Sequence, residues 1–149
     1  MPDPDADLLE PLLAKVMRLA AMHSDDAVEV RPGTALTATE GVLLVEVMTA
    51  GEVTQQQMAD QLRLDKSRVS RLCSALERKH LITRHRDQDN RRNLLVRITD
   101  NGEKTAARLR QTWREHHERI LAAMSQKERH ALLLGLRALA RELAALHSE

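Results

Sequence analysis

The sequence predicts a mostly α-helical fold with a small β-wing, on three observations. Apolar residues recur at three- and four-residue spacing along most of the chain, the signature of amphipathic helices. Capping pairs stand at Thr37/Glu40, Thr54/Gln57 and Ser125/Glu128, where each hydroxyl and carboxylate or amide can satisfy the other's backbone N–H at a helix start. Two β-type segments, 82–86 and 94–98, flank a polar tip at 87–92, the pattern of a hairpin. Phe and Tyr are absent and Trp113 is the sole aromatic. The core must therefore come from Leu, Val, Ile, Met and Ala, which favours helix over sheet.

From the N-terminus, Leu8, Leu9, Leu12, Leu13, Val16, Leu19 and Ala20 form the first stripe. Asp7 and Glu10 could cap it, and Pro11 removes one helical hydrogen bond, so a regular helix is expected to start at Glu10 or Pro11. Ser24 to Thr34 is expected to be a flexible connector. Thr37 then opens a helix from Ala38 to Thr49. Thr54 opens a shorter one ending at Leu62, the chain turns at Arg63-Leu64-Asp65, and Asp65 can cap a second helix from Lys66 to about Lys79. Leu62, Leu64, Val69, Leu72 and Leu76 are placed to hold these two helices at an angle. The hairpin follows, then a helix from near Asp100 with the stripe Ala106, Leu109, Trp113, His117, Ile120 and Met124. Ser125 opens the last helix, where Leu132, Leu136, Leu139, Leu143 and Leu146 make a heptad-like seam.

Two helices across a tight turn, followed by a hairpin, form a winged helix-turn-helix. With the leucines inward, Ser67, Arg68, Ser70, Arg71, Ser74 and Arg78 lie on the opposite side of the second helix. Small hydroxyls allow close approach and arginines reach phosphates or guanine edges, so this face suits a DNA major groove. Gln55 and the first turn of the preceding helix are expected to meet phosphate. Arg91 or Arg92 of the tip is expected in an adjacent minor groove, and Lys66, Arg84, Arg86 and Asn90 complete the expected DNA-binding set.

The charge is distributed to match. The chain is nearly neutral at +1, yet residues 1–62 carry 3 Lys/Arg against 11 Asp/Glu (−8), residues 63–97 carry 11 against 4 (+7), and residues 98–149 carry 9 against 7 (+2). The basic block coincides with the helix-plus-wing segment, where counterion release from a phosphate backbone would favour binding. The acidic first third should face away from DNA.

Several segments together resemble the MarR (multiple antibiotic resistance regulator) family over Thr34 to Glu103. They are Leu36-Thr37-Ala38-Thr39-Glu40, Met58-Ala59-x-x-Leu62-x-Leu64-Asp65-Lys66-Ser67-x-Val69-Ser70-Arg71-Leu72, Leu76-Glu77-Arg78-Lys79-x-Leu81-Ile82, the Asp87 to Arg92 tip, and Ile98-Thr99-x-x-Gly102. The resemblance implies a dimeric bacterial transcription regulator, commonly a repressor and often one that releases DNA when a small aromatic compound or an oxidant arrives. Arg63 and His80 stand where the family pattern has glycine, so those turns must accept a side chain. Asn90 replaces the wing aspartate, which reduces its charge pair with Arg92 to a neutral-to-cation hydrogen bond.

Residues 1–33 are expected to form an N-terminal dimerisation helix and connector, 34–100 the DNA-binding unit, and 101–149 the C-terminal dimerisation helices. One leucine seam needs a partner, and a helix-turn-helix protein reads two half-sites about 34–36 Å apart, which a dimer supplies. Leu12, Val16 and the seam from Leu132 to Leu146 are the expected contacts. The resemblance implies intertwined terminal helices and an effector cleft, and Met22, His23 and Arg31 are the nearest candidates to line it.

Other chemistry is weaker. Cys73 is the only cysteine, so no intrachain disulfide forms. It lies on the inward side of the second helix, where a thiol acts as a small core group. Glu115-His116-His117-Glu118 with His23 contains competent zinc ligands, but adjacent histidines on a helix point about 100° apart, so no metal site is expected. No nucleophile elbow, P-loop or dinucleotide fingerprint gathers the Ser, His and Asp residues, so neither catalysis nor a cofactor is expected. The apolar runs are short and no signal pattern precedes them, so no membrane segment is expected and the protein is placed in the cytoplasm. The expected partners are double-stranded DNA, a second copy of the chain and a small-molecule effector. The alternatives are a protein-interaction scaffold, or a metal or ligand sensor with weak DNA contacts.

Overall fold

The computed structural model describes residues 1, 3–24 and 28–148, with the side chains of residues 21–31 outside that description. The order is α1 (Pro4–Ser24), β1 (Val28–Arg31), β2 (Thr34–Leu36), α2 (Ala38–Ala50), β3 (Glu52–Thr54), α3 (Gln55–Leu62), α4 (Lys66–Arg78), β4 (Ile82–Arg86), β5 (Leu94–Ile98), α5 (Asp100–Ala122) and α6 (Gln126–Leu146). It is a mostly helical winged helix-turn-helix, as expected. The chain divides into two compact units, Met1–Arg110 and Gln111–Glu149.

In the first unit α1 begins earlier than expected and runs through Pro11. Pro4 sits in the first turn, where its fixed φ suits a helix and its missing N–H costs nothing. Asp3 accepts from the Asp5 N–H at 2.9 Å, and Asp5 and Asp7 lie in the first turn, where the helix dipole favours them. Pro11 deprives the Asp7 carbonyl of a donor, but Asp7 is exposed and water can take its place.

The expected connector contains a hairpin. β1 and β2 pair antiparallel, Val28 with Leu36, Glu29 with Ala35 and Arg31 with Thr34, with a register shift between Glu29 and Arg31. Pro32-Gly33 makes the reversal, Gly33 taking the positive φ of 79° that glycine adopts without strain.

The capping box of α2 forms as read, with the Glu40 N–H donating to Thr37 Oγ1 at 3.2 Å and the Thr37 N–H to Glu40 Oε1 at 3.3 Å. Lys79 Nζ then donates to Glu40 Oε2 at 2.7 Å and to the Ala35 carbonyl at 2.9 Å, tying β2, α2 and the end of α4 together. The core is apolar and closed. Leu36, Leu43, Leu44, Val47, Met58, Val69, Cys73, Leu76, Leu81, Ile82, Val96, Ala106 and Leu109 are all buried, and a fully buried Leu, Ile, Val or Met contributes about 1.5–3 kcal/mol.

The sheet order is β3-β5-β4. β3 pairs Glu52 with Arg97, Val53 with Val96 and Thr54 with Leu95, and β4 pairs with β5 from Ile82↔Ile98 to Arg86↔Leu94. Both non-glycine turns take positive φ, 53° at Arg63 and 60° at His80, as the resemblance required. Both side chains are exposed, so each pays only backbone strain of about 1–2 kcal/mol.

In the second unit, α6 starts with the expected box, the Glu128 N–H donating to Ser125 Oγ at 3.1 Å and the Ser125 N–H to Glu128 Oε1 at 2.9 Å. No described residue of α6 is buried. Among the described residues no helix is long and apolar enough to cross a membrane.

Candidate nucleic-acid interface

The candidate interface is built on α4. Val69, Cys73 and Leu76 bury one face of this helix, and that spacing leaves Lys66, Ser67, Arg68, Arg71 and Arg78 exposed on the other. Asp65 occupies the N-cap with extended backbone, but its carboxylate makes no capping bond, a departure from the expected side-chain cap. Ser70 and Ser74 are half-buried, and Ser74 Oγ donates back to the Ser70 carbonyl at 2.9 Å.

The α3 helix meets this surface with its N-terminus. The Gln57 N–H donates to Thr54 Oγ1 at 3.0 Å and the Thr54 N–H to Gln57 Oε1 at 2.9 Å. Gln55 and Gln56 of that turn, Lys66 of α4, and Arg92, Asn93 and Leu94 of the wing line a cleft of about 400 Å³. Two cations and three carboxamides lining one open cleft suit a polyanion better than an apolar ligand.

The wing tip is held by its own backbone. The Asp87 N–H donates to the Asn93 carbonyl at 3.1 Å and the Asn93 N–H to the Asn90 carbonyl at 2.9 Å. Asn90 Oδ1 accepts the Arg92 backbone N–H at 3.3 Å, so Asn90 orders the turn through the main chain rather than through the guanidinium. Arg86 Nη1 donates to the Arg91 carbonyl at 3.2 Å. The Arg91 and Arg92 side chains stay exposed.

Arg84 differs from the other basic residues. Its side chain is 17% exposed and hydrogen-bonds to Gln55 of α3 and to Ser70, Ser74 and Glu77 of α4. The structure thus brings Gln55, Lys66 and Arg92 to one cleft, leaves Ser67, Arg68, Arg71 and Arg91 on open surface, and gathers Ser70, Ser74 and Arg84 into a network beneath. Glu77 stands in the sequence only as one position of the Leu76–Ile82 segment, because the role of a single glutamate in a helix shows only once β4 is placed against it.

Of the remaining candidates, Leu12, Val16, Leu132, Leu136, Leu143 and Leu146 are exposed and Leu139 is half-buried. The side chains of Met22, His23 and Arg31 lie outside the described residues. Cys73 is buried, and its enclosure pushes the thiol from 9.0 up to about 11. The His116 and His117 rings lie 5.9 Å apart, tilted by 56°, and among the described residues no three His, Cys, Asp or Glu side chains gather around a common point.

Residues 36–94 match the MarR family. The HTH-type transcriptional regulator YdgJ of Bacillus subtilis, itself uncharacterized, is 27% identical over 100 residues. That alignment takes in 67% of this chain and spans 61% of YdgJ. The crystal structure of Streptococcus pneumoniae FabT in complex with DNA superposes with a TM-score of 0.78 at 22% identity, covering 95% of this chain and 99% of that one. A mutant MarR from E. coli complexed with operator DNA gives a TM-score of 0.72 at 18% identity, covering 93% and 99%.

Proposed function

We propose that the chain, whose residues 36–94 match the MarR family, is a transcription regulator that binds a pseudo-palindromic duplex as a homodimer. The observation that carries this reading is the cleft that sets Gln55, Gln56, Lys66 and Arg92 beside the exposed Ser67, Arg68 and Arg71 face of α4. Phosphate contacts and base contacts are thereby adjacent, the arrangement that duplex recognition needs. In each subunit α4 enters a major groove, and the wing reaches a neighbouring minor groove with Arg91 or Arg92. The solved DNA complexes of FabT and of the MarR mutant, on the same fold, support the assignment. Repression, and its release by a small molecule, complete the proposed activity.

Selection of bound fragments from a random duplex pool supplies the operator, and repeating it with candidate metabolites tests release. Binding isotherms at several salt concentrations then separate positioning from reading. Arg92→Ala is expected to weaken operator and scrambled duplex alike and to lower the salt slope by about 2 units per dimer, at about 0.9 per phosphate contact. Arg71→Ala is expected to relax preference at one symmetric pair of positions, by about 1–3 kcal/mol for a bidentate base contact. Absence of salt-dependent binding to any duplex would leave an interaction scaffold as the better reading.

A further inference from the structure

The Arg84 side chain is largely enclosed and reaches four neighbouring residues. Nη1 donates to Gln55 Oε1 at 3.0 Å and to the Ser70 carbonyl at 3.4 Å, and Nη2 donates to Ser74 Oγ at 2.9 Å and to Glu77 Oε1 at 3.3 Å. The second oxygen of Glu77 accepts the Arg84 backbone N–H at 3.1 Å. One carboxylate thus offsets the guanidinium charge while fixing the strand that carries it. A guanidinium has donors only, so the Gln55 carboxamide must turn its oxygen inward, leaving its two Nε2 hydrogens for another acceptor. Gln55 also lines the cleft shared with Lys66 and Arg92.

We propose that Arg84 is a positioning residue rather than a DNA contact: it holds the Gln55 carboxamide so that Nε2 faces the cleft as a neutral donor for a backbone phosphate, between the cations of Lys66 and Arg92. The same contacts brace α3 and α4 against β4, which sets the angle at which α4 meets the duplex. The role rests on the DNA-binding reading above. It reassigns Arg84 from the basic surface to the support beneath it.

The test compares Arg84→Met, Arg84→Lys, Gln55→Ala and the Arg84→Met/Gln55→Ala double variant, each checked for folding by circular dichroism, on operator and scrambled duplex across a salt series. Arg84→Met and Gln55→Ala are each expected to weaken both duplexes about tenfold per half-site, the scale of one hydrogen bond to a charged partner. The salt slope should stay unchanged, because no ion pair with phosphate is lost, and the double variant should be no weaker than Arg84→Met. Arg84→Lys keeps the charge but cannot span the four partners, so it should behave like Arg84→Met. A salt slope lowered by about 2 units per dimer in Arg84→Met, or near-parental binding by Arg84→Lys, overturns the proposal by making Arg84 a direct phosphate contact. If Arg84→Met does not fold, Gln55→Ala decides: parental affinity for duplex overturns the proposal and the expected loss per half-site upholds it. A DNA-free measurement keeps the two readings apart. The Gln55 side-chain amide should be rigid by ¹⁵N relaxation in the parent and mobile in Arg84→Lys, and equal mobility in both overturns the network. A parent protein with a rigid Gln55 amide but no affinity for duplex instead overturns the DNA-binding reading, and the phosphate role with it.

Discussion

Cys73 on α4 and Glu40 on α2 show how burial sets different demands on two ionisable groups. The Cys73 thiol is fully enclosed, and burial pushes it from 9.0 up to about 11. It is therefore protonated and unreactive at neutral pH, because the thiolate is the nucleophile. Its stabilising contribution is complete below the unfolded value and is lost as pH rises towards 11, since the unfolded chain releases the proton first. Cys73→Ala is expected to flatten that alkaline limb, which otherwise falls by about 1.4 kcal/mol per pH unit for one group; chemical denaturation at a series of alkaline pH values measures it. An oxidant that releases the parent from DNA should release Cys73→Ala equally. Glu40 behaves in the reverse sense. Burial alone would raise its carboxyl, but hydrogen bonds from Lys79 and Thr37 outweigh it and hold the group below 4.5. Its contribution is present above that ordinary value and lost as pH falls through the lowered one. Lys79→Met should thus destabilise the protein at neutral pH and reduce the stability lost on acidification, as thermal melts across the acid range would record.

The elements are joined at a few close contacts that tolerate little change, and the start of α5 is the tightest. The Thr99 N–H donates to the Leu81 carbonyl at 3.1 Å, and Thr99 Oγ1 donates to the His80 carbonyl at 2.7 Å while itself accepting the Gly102 N–H at 3.0 Å. A Cβ on Gly102 would stand 2.0 Å from the Leu81 carbonyl oxygen and 2.6 Å from Ile98 Cγ1. Since the nearer atom is backbone, α5 would have to move off the α4–β4 turn. Gly102→Ala is expected to cost about 3 kcal/mol, the upper range for overpacking, and thermal unfolding of this variant checks it. The β3–β5 pairing is reinforced across the sheet by Arg97 Nε, which donates to Glu52 Oε2 at 2.9 Å. Both side chains are well exposed, so this pair adds little stability.

At the scale of the molecule, α1 and α6 each leave large apolar side chains exposed. Leu12 and Val16 are each 61% exposed, Leu136 is 51% and Leu146 is 68%. Along each helix taken by itself, exposed leucines repeated at helical spacing make an apolar stripe of the kind that association covers. A second copy of the chain is its proposed occupant. Replacing Leu139 and Leu143 with glutamate is expected to give monomeric or unfolded protein without high-affinity operator binding. Sedimentation showing an intact, DNA-competent dimer would remove the seam from that interface.

Local chemistry determined much of this protein by itself. Capping boxes at Thr37, Thr54 and Ser125 act over three residues, and the bounds of α3, α4, β4 and β5 followed from contacts the chain makes with its near neighbours. The positive φ at Arg63 and His80 was legible only through the family resemblance, whose pattern has glycine at both turns. What the sequence left open depends on partners distant along the chain. β3 is three residues long and exists because β5 lies beside it; the β1–β2 hairpin, signalled only by Pro32-Gly33, was read as a connector. The early start of α1 turned on whether water could serve the Asp7 carbonyl, a question of exposure rather than propensity. Arg84 and Glu77 show the limit most clearly. Their side chains are joined across seven positions by the packing of β4 on α4, together with Gln55, which is 29 positions from Arg84. A sequence orders charges along a line, and only the tertiary fold decides which of them are neutralised by a neighbour and which are left to face a polyanion.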